Sequence, residues 1–167
     1  MAKDKTLEDL FHDTLKDIYY AERRILRALP KMARAAQAPA LKEAFLKHRD
    51  ETQGQIERLA QVFEAFGKPA RGKTCDAIEG IIAEGEETME EFAGTPALDA
   101  GLISTAPAVE HYDITRYGTL RSWATELGQP DAAALLDETL QEESKTDSDL
   151  TKLAKAGANQ RAKEMRT

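Results

Sequence analysis

The sequence predicts an all-α protein: four long helices in a bundle, with a short extra helix in the connection between the second and third. Three observations predict it. Apolar residues recur at spacings of three and four over long windows, the signature of an amphipathic helix. Ala, Leu, Glu and Lys are abundant while aromatics make up only 6%, and such residues lose little rotamer freedom in a helix. Gly and Pro mark the joints between the periodic stretches, where helices stop and start.

The first helix runs from Thr6 to about Gln37, with Leu7, Leu10, Phe11, Ile18, Ala21, Ile25, Leu29 and Met32 on its apolar stripe. Pro30 lies inside it and removes one backbone donor, so a bend is expected there. Pro39 suits the first turn of the second helix, which continues through Leu41, Phe45, Ile56, Leu59, Phe63 and Phe66 to Gly67. The joint between them is so short that the pair must be antiparallel. Residues 67–73 form the clearest linker, and Thr74 is the expected cap of a shorter helix with Ile78, Ile81, Ile82, Met89 and Phe92 inward. Thr95 and Pro96 start the third long helix, through Leu98, Leu102, Val109, Ile114, Tyr117, Leu120 and Leu127 to Gly128, with Pro107 a second expected bend. Pro130 opens the fourth, which carries Leu136, Leu140, Leu150 and Leu153 and ends near Gly157. Tight joints pair helix one with two and three with four, while a connection of about 30 residues crosses the bundle from end to end. This is the layout of a ferritin-like four-helix bundle. We assign residues 1–158 to the bundle domain and 159–167 to a polar, basic tail.

A single domain of 167 residues buries enough surface to fold without disulfides or a structural metal. The formal charge of -7 disfavours a nucleic-acid binder and favours cations as partners. Cys75 is the single cysteine, the first 20 residues carry acids among their apolar positions, and no stretch approaches the roughly 18 apolar residues of a membrane span. The expectation is a cytoplasmic protein with no membrane contact.

Function is sought where charge interrupts the apolar stripes. Glu22 takes an inward place among Ile18, Ile25 and Leu29 of helix one. His48, Glu51 and Gln55 share a stripe with Ala44 and Leu59 of helix two. Helix three aligns Ala106, Glu110, Asp113, Tyr117 and Leu120, and helix four aligns Leu136, Leu140, Glu143, Asp147 and Leu150. Counted from the hairpin joints, Glu22 with Glu51 and Glu110 with Glu143 match in depth to within roughly 5 to 8 Å. One carboxylate from each helix therefore converges near mid-bundle. Unpaired buried carboxylates cost several kcal/mol each, so such a cluster needs cations, protons or buried Arg. Carboxylates with an imidazole suit iron or manganese. Arg23, Arg24, Arg116 and Arg121 are the counterions of the alternative, a non-enzymatic structural or assembly bundle without metal. A third reading, a DNA-shielding mini-ferritin, is weakened by the acidic balance.

The runs Tyr20-Ala21-Glu22, Glu51 to Leu59, Cys75 to Glu84, Val109-Glu110-His111-Tyr112, Tyr117 to Leu120 and Leu140-Gln141-Glu142-Glu143 resemble the YciE/YciF-type stress proteins, a rubrerythrin-related branch of the ferritin-like superfamily. The resemblance covers residues 5 to 157. It implies a four-helix bundle with an additional crossover helix, a homodimer, a role in bacterial stress, and a dinuclear metal site. By that pattern Glu22, Glu51, Glu110 and Glu143 are the metal carboxylates. The superfamily's Glu-x-x-His is absent, with Gly54 three after Glu51 and Thr146 three after Glu143. His48 and Asp147 are the expected compensating ligands, giving a site richer in carboxylate and poorer in imidazole. If the protein is an enzyme, the resemblance implies a di-metal oxidoreductase of the rubrerythrin type, with oxidase or peroxide-consuming activity.

Overall fold

The computed structural model describes residues 4–164. Five helices account for most of it: α1 Leu7–Ala35, α2 Pro39–Ala65, α3 Asp76–Glu91, α4 Leu98–Glu126 and α5 Pro130–Leu153. A wider π turn, Ala154–Ala158, and a short α6, Asn159–Arg161, follow. Among the described residues there is no strand. The long helices close a ring in the order α1, α2, α5, α4, and α3 lies outside it across α1 and α4. This is the expected bundle with its crossover helix.

Local chemistry sets most helix ends. Thr6 and Asp9 form a reciprocal capping box at the start of α1. Gly67 and Gly128, both at positive φ, close α2 and α4 in the same way. The amide of Lys68 donates to Phe63 O and that of Gly67 to Glu64 O; Gln129 and Gly128 repeat this with Ala124 and Thr125. Both helices containing proline run unbroken through Pro30 and Pro107.

Several ends differ from expectation. Cys75, one residue beyond Thr74, caps α3, its Sγ accepting from the Ile78 amide at 3.4 Å. Thr95 turns back to donate to Phe92 O, and α4 starts only at Leu98. Leu7, Leu10 and Phe92 are exposed rather than inward, because each lies at or beyond the last turn that another helix covers. The chain stays helical past residue 158 to Arg161, with Gly157 at φ 139° inside the π turn and Ala158 buried.

The joint between α1 and α2 is held from outside the hairpin. Asp99, buried in the first turn of α4, accepts from the amides of Gln37 and Ala38 at 2.7 and 2.8 Å. These are amides that neither helix can satisfy, since α1 has ended and α2 has not begun. One carboxylate thus fixes the height of α4 against the α1–α2 hairpin. Asp99→Ala is expected to cost about 1–3 kcal/mol, the range for losing hydrogen bonds from partly buried amides to a charged acceptor. Urea unfolding of the variant measures it, and a loss below about 0.5 kcal/mol would show that the joint is held by packing alone.

Candidate metal centre

Midway along the bundle the apolar core gives way to acid. Glu22 of α1, His48 of α2, Glu110 and Asp113 of α4 and Glu143 of α5 are all buried, four of them completely and His48 at 3% exposure. Apolar residues share their stripes: Ile18 and Ile25 flank Glu22, Ala106 precedes Glu110, and Leu136, Leu140 and Leu150 flank Glu143. Helical spacing of three and four aims these side chains inward whatever their polarity.

The donor atoms fall into two groups. One oxygen each of Glu110 and Glu143 and one nitrogen of His48 lie within 4.8 Å of one another; so do single oxygens of Glu22, Asp113 and Glu143. Glu143 belongs to both. His48 Nδ1 is 3.1 Å from Glu110 Oε1, and Nε2 is 3.7 Å from Glu143 Oε2, neither contact being aligned as a hydrogen bond. Tyr117 donates to Glu22 Oε1 at 2.7 Å. The other Glu22 oxygen, both oxygens of Glu110, Asp113 and Glu143, and His48 Nε2 have no hydrogen-bond partner in the protein.

Among the described residues no Lys or Arg pairs with these four acids. The arginines are engaged elsewhere: Arg24 with Glu79 and Glu86, Arg121 with Asp137, and Arg116 over the Tyr112 ring. Arg58, half-buried beside the cluster, donates to Thr139 at 2.7 Å and pairs with Glu142, which also accepts from Gln55. Burial, followed by repulsion from Glu143, pushes the Glu22 and Glu110 carboxyls well above the ordinary range; burial and then Glu22 do the same to Asp113. Burial also raises Glu143, but the neighbouring Glu110 acid and His48 imidazole outweigh it and hold that carboxyl low. Without cations the centre therefore favours protons on Glu22, Glu110 and Asp113 and charge on Glu143. Tyr117 is raised by burial and by Glu22, so it remains a donor.

The structure brings together Glu22, His48, Glu110 and Glu143 of the six residues singled out in the sequence. Glu51 and Asp147 stand apart. Glu51 is partly exposed, 3.5 Å from Lys47 Nζ and accepting from Thr146 at 3.2 Å; Asp147 pairs with the exposed His111 at 3.1 Å. The inward stripe of α2 is Leu41, Phe45, His48, Thr52, Gln55 and Leu59, so Thr52 rather than Glu51 follows His48 into the core. Asp113 joins the cluster instead. Its signal was visible as an acid three residues after Glu110 on one apolar stripe. Glu84 is exposed on α3.

Residues 6–163 match the family described as a domain of unknown function, DUF892. The chain belongs to this family. It is 46% identical over 159 residues to Protein YciF of Escherichia coli (strain K12), covering 95% of this chain and 96% of that protein. The crystal structure of the E. coli stress protein YciF superposes with a TM-score of 0.89 at 46% identity, over 93% of this chain and 99% of that one. YcfI from Rhodopseudomonas palustris gives 0.86 at 46% identity, over 90% and 97%. A Xanthomonas campestris pv. campestris protein at 21% identity, TM-score 0.75 over 93% and 96%, shares the fold. The resemblance read from the Glu-His-Tyr and Glu-Glu segments therefore stands: this is a YciF-type helical bundle. No helix of the described residues is long and apolar enough to cross a membrane.

The raised carboxyls set a pH dependence. Without bound cations the folded chain holds protons on Glu22, Glu110 and Asp113 that the unfolded chain releases near its ordinary range. Their contribution is fully present below about pH 4 and is lost as pH rises through the folded values; Glu143 runs the opposite way but is one against three. Chelator-treated protein should melt several degrees lower at pH 7.5 than at pH 5.5, since ~1 kcal/mol moves the Tm of a domain this size by about 2–4 °C. Calorimetry at the two pH values checks this. An equal or higher Tm at pH 7.5 would mean that the cluster does not hold those protons.

Proposed function

We propose that this chain is a stress-related protein that binds two divalent transition-metal ions, iron or manganese, in the buried cluster, as a cytoplasmic homodimer. The observation that carries the reading is Glu143, common to both ligand groups. A carboxylate with two oxygens, neither hydrogen-bonded within the protein, is suited to bridge two ions. His48 and Glu110 would complete one position, Glu22 and Asp113 the other. The charges support this: four carboxylates carry -4 when ionised, and two divalent cations balance it. The oxygen-rich donor set with one imidazole suits iron and manganese better than zinc or copper. The cytoplasmic setting is supported by the lone, buried Cys75, a thiol unpaired in the fold.

When bound, such ions supply one-electron redox chemistry and open positions for a small oxidant, which supports an oxidase or peroxide-consuming activity. The chain's own part is binding and orientation. Tyr117 fixes one oxygen of Glu22 and leaves the other free. Thr52 donates to His48 O at 2.7 Å, closing the backbone of α2 beneath the imidazole. Bulk water is excluded by the complete burial of the acids, which strengthens every charge interaction inside.

Metal analysis of protein loaded anaerobically with ferrous iron or with manganese tests the reading. About two ions per chain are expected from the two ligand groups. Glu143→Ala should abolish binding, Glu51→Ala and Asp147→Ala should leave it intact, and Tyr117→Phe should weaken it about 10- to 100-fold, as loss of a ligand's outer partner does. Stoichiometry below about one ion, unchanged by Glu143→Ala, would favour a metal-free structural bundle instead. Peroxide consumption by the loaded protein then separates an enzyme from a binder.

A further inference from the structure

Beyond the ligands, α1, α3 and α4 enclose a small cavity of about 20 Å³ that reaches the centre from the side of the crossover helix. That is room for one water-sized molecule. At its inner end are His48 and Glu110; Ile25, Met32, Ile82 and Val109 are among its apolar walls. At its outer end stand Lys31, exposed, and Glu86, half-exposed, 3.7 Å apart, with Arg24 3.5 Å from the same Glu86 oxygen. The cavity therefore spans from a surface ion pair to atoms with no exposure to solvent. His48 and Glu110 are both buried, and nearly all the surface that the cavity exposes is apolar.

The lining selects the occupant. A cavity walled by aliphatic side chains stays dry and takes up small apolar molecules such as xenon, whereas water and ions enter only where two or more polar partners receive them. A metal ion would shed its hydration along Ile82 and Val109 with no donor to replace it. Hydrogen peroxide would lose hydrogen bonds that these walls cannot return. A diatomic, uncharged gas loses nothing. Its last contacts before the centre would be with the Glu110 and His48 side, leaving the Glu22 and Asp113 side closed.

We propose that this cavity is the access route and docking pocket for dioxygen, delivering it to the centre at the Glu110–His48 end. The ion pair of Lys31 and Glu86 lies over the mouth, and as an exposed pair it opens at little cost. The proposal rests on the metal-binding reading, and its first test is independent of metal.

Xenon serves as the probe, on metal-free protein in solution by xenon NMR and in xenon-pressurised crystals. Xenon is expected between Ile25, Ile82 and Val109, and Ile82→Ala should increase its uptake by enlarging the cavity. Failure of both proteins to take up xenon there would overturn the pocket even if metal binds. Ala28→Leu fills the cavity from α1; it should exclude xenon and slow oxidation of bound ferrous iron by dioxygen about tenfold, as a route open a tenth of the time would. Iron stoichiometry, rate of loading and oxidation by peroxide should be unchanged. An unaltered dioxygen rate, or slowed loading or slowed peroxide oxidation, would overturn the assignment to dioxygen. Protein that binds xenon but no metal would refute the metal reading while leaving the pocket in place.

Discussion

Four carboxyl groups held where no solvent reaches them would repel one another if ionised, and the rest of the bundle has to contend with that repulsion. Two unit charges about 4 Å apart at an effective dielectric constant near 20 cost about 4 kcal/mol, and a domain's whole stability is about 5–15 kcal/mol. Two or three such pairs left ionised and uncompensated would unfold the protein. Direct pairing with Arg is absent among the described residues, because the arginines near the cluster are committed to Glu79, Glu86, Glu142 and Asp137, and Arg58 adds only a minor attraction to Glu22. Protons or cations remain. Protonation is what burial already drives in Glu22, Glu110 and Asp113, and cations displace those protons when they bind.

The fold was legible because its information is local and repeated. Each long helix carries many apolar positions at one period, so an error at Leu7, Leu10 or Phe92 does not alter the pattern. The joints were legible for a similar reason: Gly67 and Gly128 stand where a left-handed residue is required, and Pro39 and Pro130 where an amide is dispensable. Helix starts without that chemistry were not. α4 begins at Leu98 with no side-chain cap, and its position is set by Asp99 reaching the α1–α2 joint, a contact between residues more than 60 positions apart. No reading of neighbouring residues contains it.

The site demanded finer resolution than the fold. Glu22, Glu110 and Glu143 could be placed because each stands between apolar residues that point the same way. On α2 the polar residues His48, Glu51, Thr52 and Gln55 lie close together, and a helix turns about 100° per residue. Glu51 lies about 60° to one side of His48 and Thr52 about 40° to the other, a difference that only the packing partner decides. Here α5 decides it, presenting Thr146 to Glu51 on the flank and leaving the inward place to Thr52. Asp147 is drawn to the α4–α5 edge by His111. The acid that takes a place in the cluster, Asp113, has Glu110 one turn before it and Tyr117 one turn after, so α4 alone supplies two carboxylates and the hydroxyl that orients a third.

The crossover helix follows from the same constraint. A connection from the end of α2 to the start of α4 needs length but no helix, and the seam of α1 and α4 that it crosses is the one from which Glu22, Glu110 and Asp113 project. Covering that seam keeps water from the acids. Close seating depends on two glycines: a Cβ at Gly85 would lie 2.6 Å from Thr105 Cγ2, and one at Gly101 2.5 Å from Thr88 Cγ2. Each helix thus yields a side chain where the other presents a threonine methyl, and the two backbones approach closely at both points. Tyr20 and Arg24 of α1 fasten the other edge of α3 through Glu79. The narrow apolar gap reaching Glu110 and His48 is what this seating leaves over. A looser helix would flood the centre, and a tighter one would seal it. The same cover that makes the carboxyls expensive to ionise therefore also determines what size and polarity of molecule can reach them.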